Sequence, residues 1–390
     1  MTFMQAVILA AGRGERVYPF TGEINKCMIK IGNKPVLEHT IEQLPFYIRK
    51  IILVIRPGDE ELKKYFGKRY GFKKIIYIEQ KSPKGTADAL LQAKSILKRW
   101  FVVLNGDVFY KKKDIKRCVR RRPCMLVTKV EKPEHYGVVT VNKKRVSSLV
   151  EKPKKADSNL INAGLYVLKK DMIEKKLKKS SHGEYEIVDF FQPLISQNKL
   201  RYAKTDFFAT INYSWDILNE NKKILSQIKL KQKGEVEINS TLKGKVGIGR
   251  GTILKNGSYL EGPVVIGKNC SIGPNCYIRG PTSIGDNCKI GHSVEIKASV
   301  IFSGTSIGHL AYIGDSIVGR NVNIGAGTTT ANLRHNGETI KVKLHGGLVD
   351  TGLKKFGAII GNSVHTGINT TIYPGRIVDR NTLPGEIVKK

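Results

Sequence analysis

The chain has 390 residues, 41% of them hydrophobic, and a formal net charge of +34. That length has room for two or three domains with full cores, and the composition is that of a globular protein. No apolar run reaches the roughly 18–20 residues of a membrane span, and the N-terminus has no basic-then-apolar leader pattern, so a soluble, cytoplasmic protein without a membrane partner is expected. Lys111-Lys112-Lys113 and Arg120-Arg121-Arg122 are local basic clusters. The basic residues are otherwise spread over both halves without interleaved aromatics. The charge therefore suits anionic small substrates better than nucleic acid.

Residues 1–212 alternate β-like runs with helical stretches. Ala6–Leu9, Ile51–Ile55, Ile75–Ile78 and Phe101–Leu104 read as strands, and Val36–Leu44 and Thr86–Arg99 as helices. This alternation predicts an α/β, Rossmann-like domain with a largely parallel sheet, whose ligands bind where strands end and helices begin. The first strand runs into Leu9-Ala10-Ala11-Gly12-Arg13-Gly14-Glu15-Arg16. Glycines there let backbone amides approach a phosphate closely, and Arg16 can brace oxyanions. Residues 213–233 are helix-compatible and charged, and they read as a connection to a second domain over 234–390.

That second domain announces itself by period. Val236, Leu242, Ile248, Leu254, Leu260, Ile266, Ile272, Ile278, Ile284, Ile290, Ile296 and Phe302 recur every six residues, often followed by Gly. Neither a helix nor a two-faced strand has this period, whereas a parallel β-helix of hexapeptide repeats does. Cys270, Cys276, Cys288 and Val294 fall on a second inward position, and Cys270 and Cys288 are eighteen apart, one turn of a three-sided coil. No C-x-x-C pair is present, which argues for core thiols rather than a zinc site. After Phe302 the rungs are Ile307, Ile313, Val318, Ile324 and Thr330, and the two short steps of five bracket His309–Asp315. A polar stretch from Ala331 to Phe356 then interrupts the ladder, which resumes at Ile360, Thr366, Ile372 and Val378.

In the first half, the glycine-rich turn is followed by Lys26 in Asn25-Lys26-Cys27-Met28 and by Lys34-Pro35-Val36-Leu37-Glu38-His39. This order resembles the sugar-1-phosphate nucleotidyltransferases. The resemblance implies nucleotide binding by Leu9, Ala11, Gly12, Gln80, Gly85 and Thr86, with the Gln80 amide suited to a uracil edge. It implies catalytic roles for Arg16 and Lys26, and Mg²⁺ on Asp107 of Asn105-Gly106-Asp107. A strand-end carboxylate beside nucleotide phosphates is what a hard, partly hydrated ion needs. Gly137, Glu151, Lys152 and Asn162 match the sugar-contacting segments. Where many relatives carry W-x-D-[IV]-G-x-P-W-D, this chain has Thr210 for the first Asp. Ile211-Asn212 matches the G-V-N version instead, which carries the second metal position to Asn212.

His309-Leu310-Ala311-Tyr312-Ile313-Gly314-Asp315 and Asn321–Gly327 resemble the acetyltransferase half of the bifunctional enzymes that make UDP-N-acetylglucosamine. The resemblance implies a left-handed β-helix with His309 as general base, oriented by Glu295. It implies Arg279 and Lys297 on the sugar phosphate, and Tyr312, Asn323 and Asn332 around the sugar. The Ala326 backbone would face the acetyl-CoA thioester, and Lys341 of the interrupting loop would help bind substrate. The implied protein is a homotrimeric transferase of two activities, using UTP and acetyl-CoA with sugar 1-phosphates. Two alternatives stay open from the residues: a single-activity UTP or dTTP glucose-1-phosphate nucleotidyltransferase with an inert β-helix, and a non-catalytic exchange-factor-like subunit. The presence of Arg16, Lys26 and Asp107 speaks against the latter.

Overall fold

The computed structural model describes residues 3–22, 24–173, 179–180, 183–344 and 346–389. The chain divides into two units. One comprises Met1–Arg13, Ile24–Ile29 and Val36–Thr210, the other Gly14–Glu23, Lys30–Pro35 and Ile211–Lys390.

The first unit is built on a ten-stranded sheet with helices on both faces. Its order is Gly137–Asn142, Arg145–Glu151, Arg201–Lys204, Cys124–Lys129, Leu160–Lys169, Trp100–Asn105, Met4–Ala10, Ile48–Ile55, Lys73–Glu79 and Arg69–Tyr70. The four strands expected from sequence pair in parallel at its centre. Three of them, Met4–Ala10, Ile48–Ile55 and Trp100–Asn105, are largely buried on both faces, which is why they read as continuous apolar runs rather than alternating ones, while Lys73–Glu79 nearer the edge is only partly covered. Ile8, Leu53 and Leu104 point into one core and Val7, Val54 and Val103 into the other.

Two differences from the sequence reading are local. Leu160–Lys169 runs antiparallel to both Trp100–Asn105 and Cys124–Lys129, and an antiparallel hairpin closes that edge, so the sheet is mixed. The helix expected over 86–99 ends at Gln92 and continues only as a short 3-10 turn, Lys94–Ile96. Gln5 stops the extension short of Arg99. Its side chain donates to the Ile96 carbonyl at 3.1 Å and accepts from the Lys98 amide at 2.5 Å, taking backbone groups a longer helix would need.

The second unit is a left-handed parallel β-helix whose three sheets hold six, eight and seven short strands. Register confirms one coil per eighteen residues in the early coils, as in Leu260↔Ile278↔Ile296 and Ile266↔Ile284. One rung differs from the expected series. Ile284 pairs with Ile301, not Phe302, and Ile301 faces the interior with the other rungs. The short steps are therefore Ile296 to Ile301 and Ile313 to Val318. Each falls at the corner just after the outward row Arg279–Lys297–Gly314, one before and one after His309 in the chain, and neither at the His309 corner itself. Beyond the interruption Val318 pairs with Ile360 and Thr330 with Ile372, and the inserted chain forms its own hairpin, Lys341–Leu344 with Gly347–Asp350.

Cys270, Cys276 and Cys288 are buried and free, and the Cys288 amide donates to the Cys270 sulfur at 3.4 Å, one coil stacked on the next. Two excursions from the N-terminal half belong to this unit. In them Phe20 meets Phe302 edge-on at 5.5 Å, the Tyr18 hydroxyl donates to the Asp379 carboxylate, and the Asn33 amide donates to the Ile284 carbonyl at 2.7 Å.

Candidate active sites

At the carboxyl ends of the central strands, Leu9 closes the Met4–Ala10 strand and its carbonyl accepts from Gly106 at 2.8 Å. A Cβ on Gly106 would stand 2.9 Å from that carbonyl and 2.8 Å from the Cys27 sulfur, so only glycine lets Asn105-Gly106-Asp107 lie so close to the first strand. The Asp107 carboxylate meets the Lys26 ammonium at 2.6 Å, with the two side chains 29% and 13% exposed. Lys26 is held in place by Asn25. That side chain accepts from the Cys27 amide and donates to the Ala10 carbonyl and to Asp59, the last two at 2.7 Å. Ala11 is buried and Gly12 open to solvent, with nothing within 4 Å of where its side chain would be.

Gln80 donates to the Gly85 carbonyl at 3.2 Å and to Asp88 at 2.8 Å, which leaves its carbonyl oxygen for a ligand. Gly85 has φ 109° and its missing Cβ would lie 2.4 Å from the Tyr185 carbonyl, so no other residue fits. Thr86 opens the following helix and its hydroxyl donates to Glu186 at 3.0 Å. Glu151 lies across from Gly137, whose Cβ would meet the carboxylate at 2.9 Å and the Asn162 Cβ at 3.5 Å. Asn162 donates to the Tyr166 hydroxyl at 2.6 Å. Burial, then the nearby Glu186 charge, push the Glu151 carboxyl up to about 7, while Lys152, 4.0 Å away, pulls it back. Glu186 was missed from the sequence, since the hundred residues between it and Thr86 leave no local signal.

Arg16 and Asn212 belong to the second unit. The Arg16 guanidinium is exposed and lies 5.6 Å from the Tyr213 ring centre, and the Asn212 amide donates to Asp216 at 2.7 Å. Thr210 donates to the Asp107 carbonyl at 3.4 Å. Among the described residues no group of three or more His, Cys, Asp or Glu could cage a metal. A lone strand-end carboxylate still fits Mg²⁺, which keeps its waters and takes most other ligands from phosphates.

The β-helix gathers a second set of residues. Arg279, Lys297 and Gly314 occupy one register row of the eight-stranded sheet, and Tyr277, Glu295 and Tyr312 the neighbouring row. Inward rungs Ile278, Ile296 and Ile313 separate the two rows, so alternation turns every one of these side chains outward. Arg279 grips Glu295 with two donors at 2.5 and 3.1 Å. Lys297 meets the Asp315 carboxylate at 3.0 Å, and the same oxygen accepts from Asn332 at 2.6 Å, while Asn332 also reaches the Tyr312 hydroxyl at 3.3 Å. Glu295, expected to orient His309, has its described hydrogen bonds with Arg279 instead.

Asp315 is the residue that sequence reading left without a role. It occupies the shortened corner with φ 48°, its amide bonded to the Lys297 carbonyl at 2.8 Å. It stands eighteen residues after Lys297, one place beyond that residue's register partner Gly314 because the coil is shortened there. His309 projects from the corner before Tyr312, exposed, with Leu310 beside it at φ 56°. Other corners give that left-handed place to Asn, as at Asn269, Asn287 and Asn321, so a leucine there is locally strained. Gly308 stacks under Ala326: its Cβ would come 3.0 Å from the Ala326 amide. Asn323 lies around that corner on the six-stranded sheet, bridged to His365. Lys341 is exposed on the inserted hairpin, and no described hydrogen bond or ion pair joins it to the cluster.

An α/β sheet with Lys26 and Asp107 paired at its strand ends, followed by a hexapeptide coil with an outward polar cluster, suits the class of sugar-phosphate nucleotidyltransferases fused to β-helix acyltransferases. Comparison with known proteins agrees. The Nucleotidyl transferase family pattern matches residues 5–217, and the GMPPB C-terminal domain pattern matches 260–389. The chain is 41% identical to the "Bifunctional protein GlmU" of Methanococcus maripaludis strain C7, over 98% of this chain and 93% of that one. It is 38% identical to the "Bifunctional sugar-1-phosphate nucleotidylyltransferase/acetyltransferase" of Sulfurisphaera tokodaii, over 99% of this chain and all of that one. A solved Bacillus anthracis structure, described as a glucose-1-phosphate thymidylyltransferase, aligns with a TM-score of 0.53 at 23% identity over 59% of this chain and 98% of that one, a likeness of fold. The chain belongs to the family of bifunctional sugar-1-phosphate nucleotidyltransferase/acetyltransferases. It is a transferase with both activities in one polypeptide.

Proposed function

We propose that the β-helix half acetylates glucosamine 1-phosphate from acetyl-CoA, and that the N-terminal half couples the product to UTP, giving UDP-N-acetylglucosamine and pyrophosphate. The observation that carries this reading is the outward polar cluster in which Asp315 joins Lys297 and Asn332 and Asn332 reaches Tyr312, with Arg279 on the Lys297 row, a set of interactions that a purely structural rod does not need. In the first reaction a neutral His309 imidazole takes a proton from the sugar amine as its nitrogen attacks the thioester carbonyl. The C–N bond forms, the C–S bond breaks, and the His309 imidazolium passes its proton to the departing sulfur, so CoA leaves as a thiol and the imidazole is neutral again. The Ala326 amide faces the carbonyl oxygen. Arg279 and Lys297 take the sugar phosphate, which competes with their present partners and releases Glu295 to orient His309. Tyr312, Asn323 and Asn332 hold the sugar. A trimer, with CoA held between the coils of neighbouring copies, gives Lys341 a substrate to reach.

In the second reaction an oxygen of the sugar phosphate attacks the α-phosphorus of UTP in line, and the bond to pyrophosphate breaks. Arg16 and Lys26 oppose the charge that develops on the phosphates. Leu9, Ala11, Gly12, Gln80, Gly85 and Thr86 seat the nucleotide, and Gly137, Glu151, Lys152 and Asn162 seat the sugar. Asp107, with Asn212 as the second position, would hold Mg²⁺, which when bound supplies charge neutralisation at the phosphates. The enzyme works in the cytoplasm, where UTP and acetyl-CoA are available.

Thiol release from acetyl-CoA with glucosamine 1-phosphate tests the first half. Wild type is expected to be active and His309→Ala to lose at least about 100-fold. Full activity in His309→Ala, or none in wild type, overturns the assignment.

A further inference from the structure

We propose that the first unit carries a second anion site, for a triphosphate-bearing small molecule, in a cleft at the opposite end of its sheet from the catalytic residues. The cleft has a volume of about 1080 Å³, and Arg121, Lys143, Lys144, Arg145 and Arg201 line it without a single Asp or Glu. Nothing in the proposed reactions uses it.

Its position follows from the strands. Gly137 begins its strand at the sugar side, against Glu151 and Asn162, and Asn142 ends that strand at the cleft. Six extended residues separate the two ends by about 17 Å. Arg201 pairs in register with Cys124, the first residue of a strand that runs the same way as Trp100–Asn105, so the cleft lies at the amino ends of the Cys124–Lys129 and Arg201–Lys204 strands. Asp107 follows the carboxyl end.

Three observations separate this cleft from an ordinary solvated basic surface. Arg145 and Arg201 are direct cross-strand partners, a placement of like charges that costs stability unless an anion lies between them. Among the described residues, none of the five cations has a carboxylate within ion-pair distance, so none would give up such a partner to take an anion. The cleft is also tied in shape. Arg121 donates to the Tyr202 carbonyl at 3.0 Å, and the Tyr202 hydroxyl donates to the Lys143 carbonyl at 3.3 Å. Lys143 itself is held at φ 52° in the hairpin turn. Five cations around a concave space match a compact polyphosphate, and the volume admits a nucleotide. The half-buried Tyr202 ring and the Ile195 side chain supply an apolar wall for a base. A concave pocket with one aromatic favours a small ligand over a nucleic-acid strand, which needs a longer track of stacking residues.

The test is calorimetric titration of the full chain with ATP and, separately, inorganic tripolyphosphate. UDP-N-acetylglucosamine and CoA are present in saturating amounts to occupy both catalytic sites. One saturable site per chain is expected. It should weaken at least tenfold in Arg145→Glu/Arg201→Glu and stay intact in the charge-matched control Lys64→Glu/Lys68→Glu. Binding of ATP alone marks a nucleotide site, and equal binding of tripolyphosphate marks a site for the triphosphate group; both support the proposal. Both double variants should keep wild-type uridylyl and acetyl transfer, which reports that they fold. No saturable binding in wild type, or equal losses in the two variants, overturns the proposal. So does a cleft-dependent affinity for a DNA 20-mer that tripolyphosphate cannot compete away.

Discussion

Glu151 shows how one residue can be legible in identity and opaque in chemistry. Its motif is visible in the sequence, but the carboxyl's rise from 4.5 to about 7 is caused first by burial and then by Glu186, which no local pattern connects to it. The sign of the consequence is fixed. Between pH 4.5 and 7 the folded chain keeps a proton on Glu151 that the unfolded chain has lost, so this group's stabilising contribution falls as pH rises through that window. Glu151→Gln should therefore be more stabilising at pH 8 than at pH 5, by about 1–3 kcal/mol, measurable by denaturant unfolding at the two pH values. An equal effect at both would contradict the raised value. Asp315 is the converse case, a residue in plain view without an assigned task. Because one carboxylate oxygen holds both Lys297 and Asn332, Asp315→Ala should lower kcat/KM for acetyl transfer by about 10–100-fold, chiefly through KM for the amino-sugar phosphate. Uridylyl transfer on the same preparation should be unchanged. Wild-type acetyl transfer in that variant would remove Asp315 from the site.

At the scale of elements, the strands and the coils were readable for different reasons. Strands buried on both faces give unbroken apolar runs, and a hexapeptide coil repeats its inward residue every sixth place; both are covalent patterns. What was not readable was settled by tertiary contacts. Gln5 caps the short turn that follows the Thr86 helix from more than ninety residues away. Strand register moves the rung from Phe302 to Ile301, since two adjacent apolar residues fit a six-step equally well on paper. The shift has a structural meaning: it places both shortened corners after the same outward row, and in the second of them Asp315 turns back to Lys297. The regular rungs are scaffold by the same logic. Leu254, fully buried and remote from the outward row, should cost about 2–5 kcal/mol when changed to Ala, seen as an earlier melting transition. Acetyl transfer per folded molecule, measured well below that transition, should be that of wild type. A chemical defect there would mean that the coil is more than a support.

At the scale of the molecule, the account rests on two sites that work in sequence on one sugar. Their residues lie in separate stretches of the chain, up to Asn212 and from Arg279 onward, and share no element, so each can be silenced alone. No helix among the described residues is long and apolar enough to cross a membrane, and the proposed substrates are all water-soluble anions, in keeping with the charge of +34. The division of labour predicts complementation. Glucosamine 1-phosphate, acetyl-CoA and UTP are supplied together, and UDP-N-acetylglucosamine is measured by chromatography. Wild type should make it, while His309→Ala alone and Asp107→Ala alone should each make almost none. An equal mixture of the two variants should recover the product, because the acetylated sugar phosphate diffuses from one to the other. Product from His309→Ala alone, or none from the mixture while each variant retains its remaining half-reaction, would contradict the two-site account.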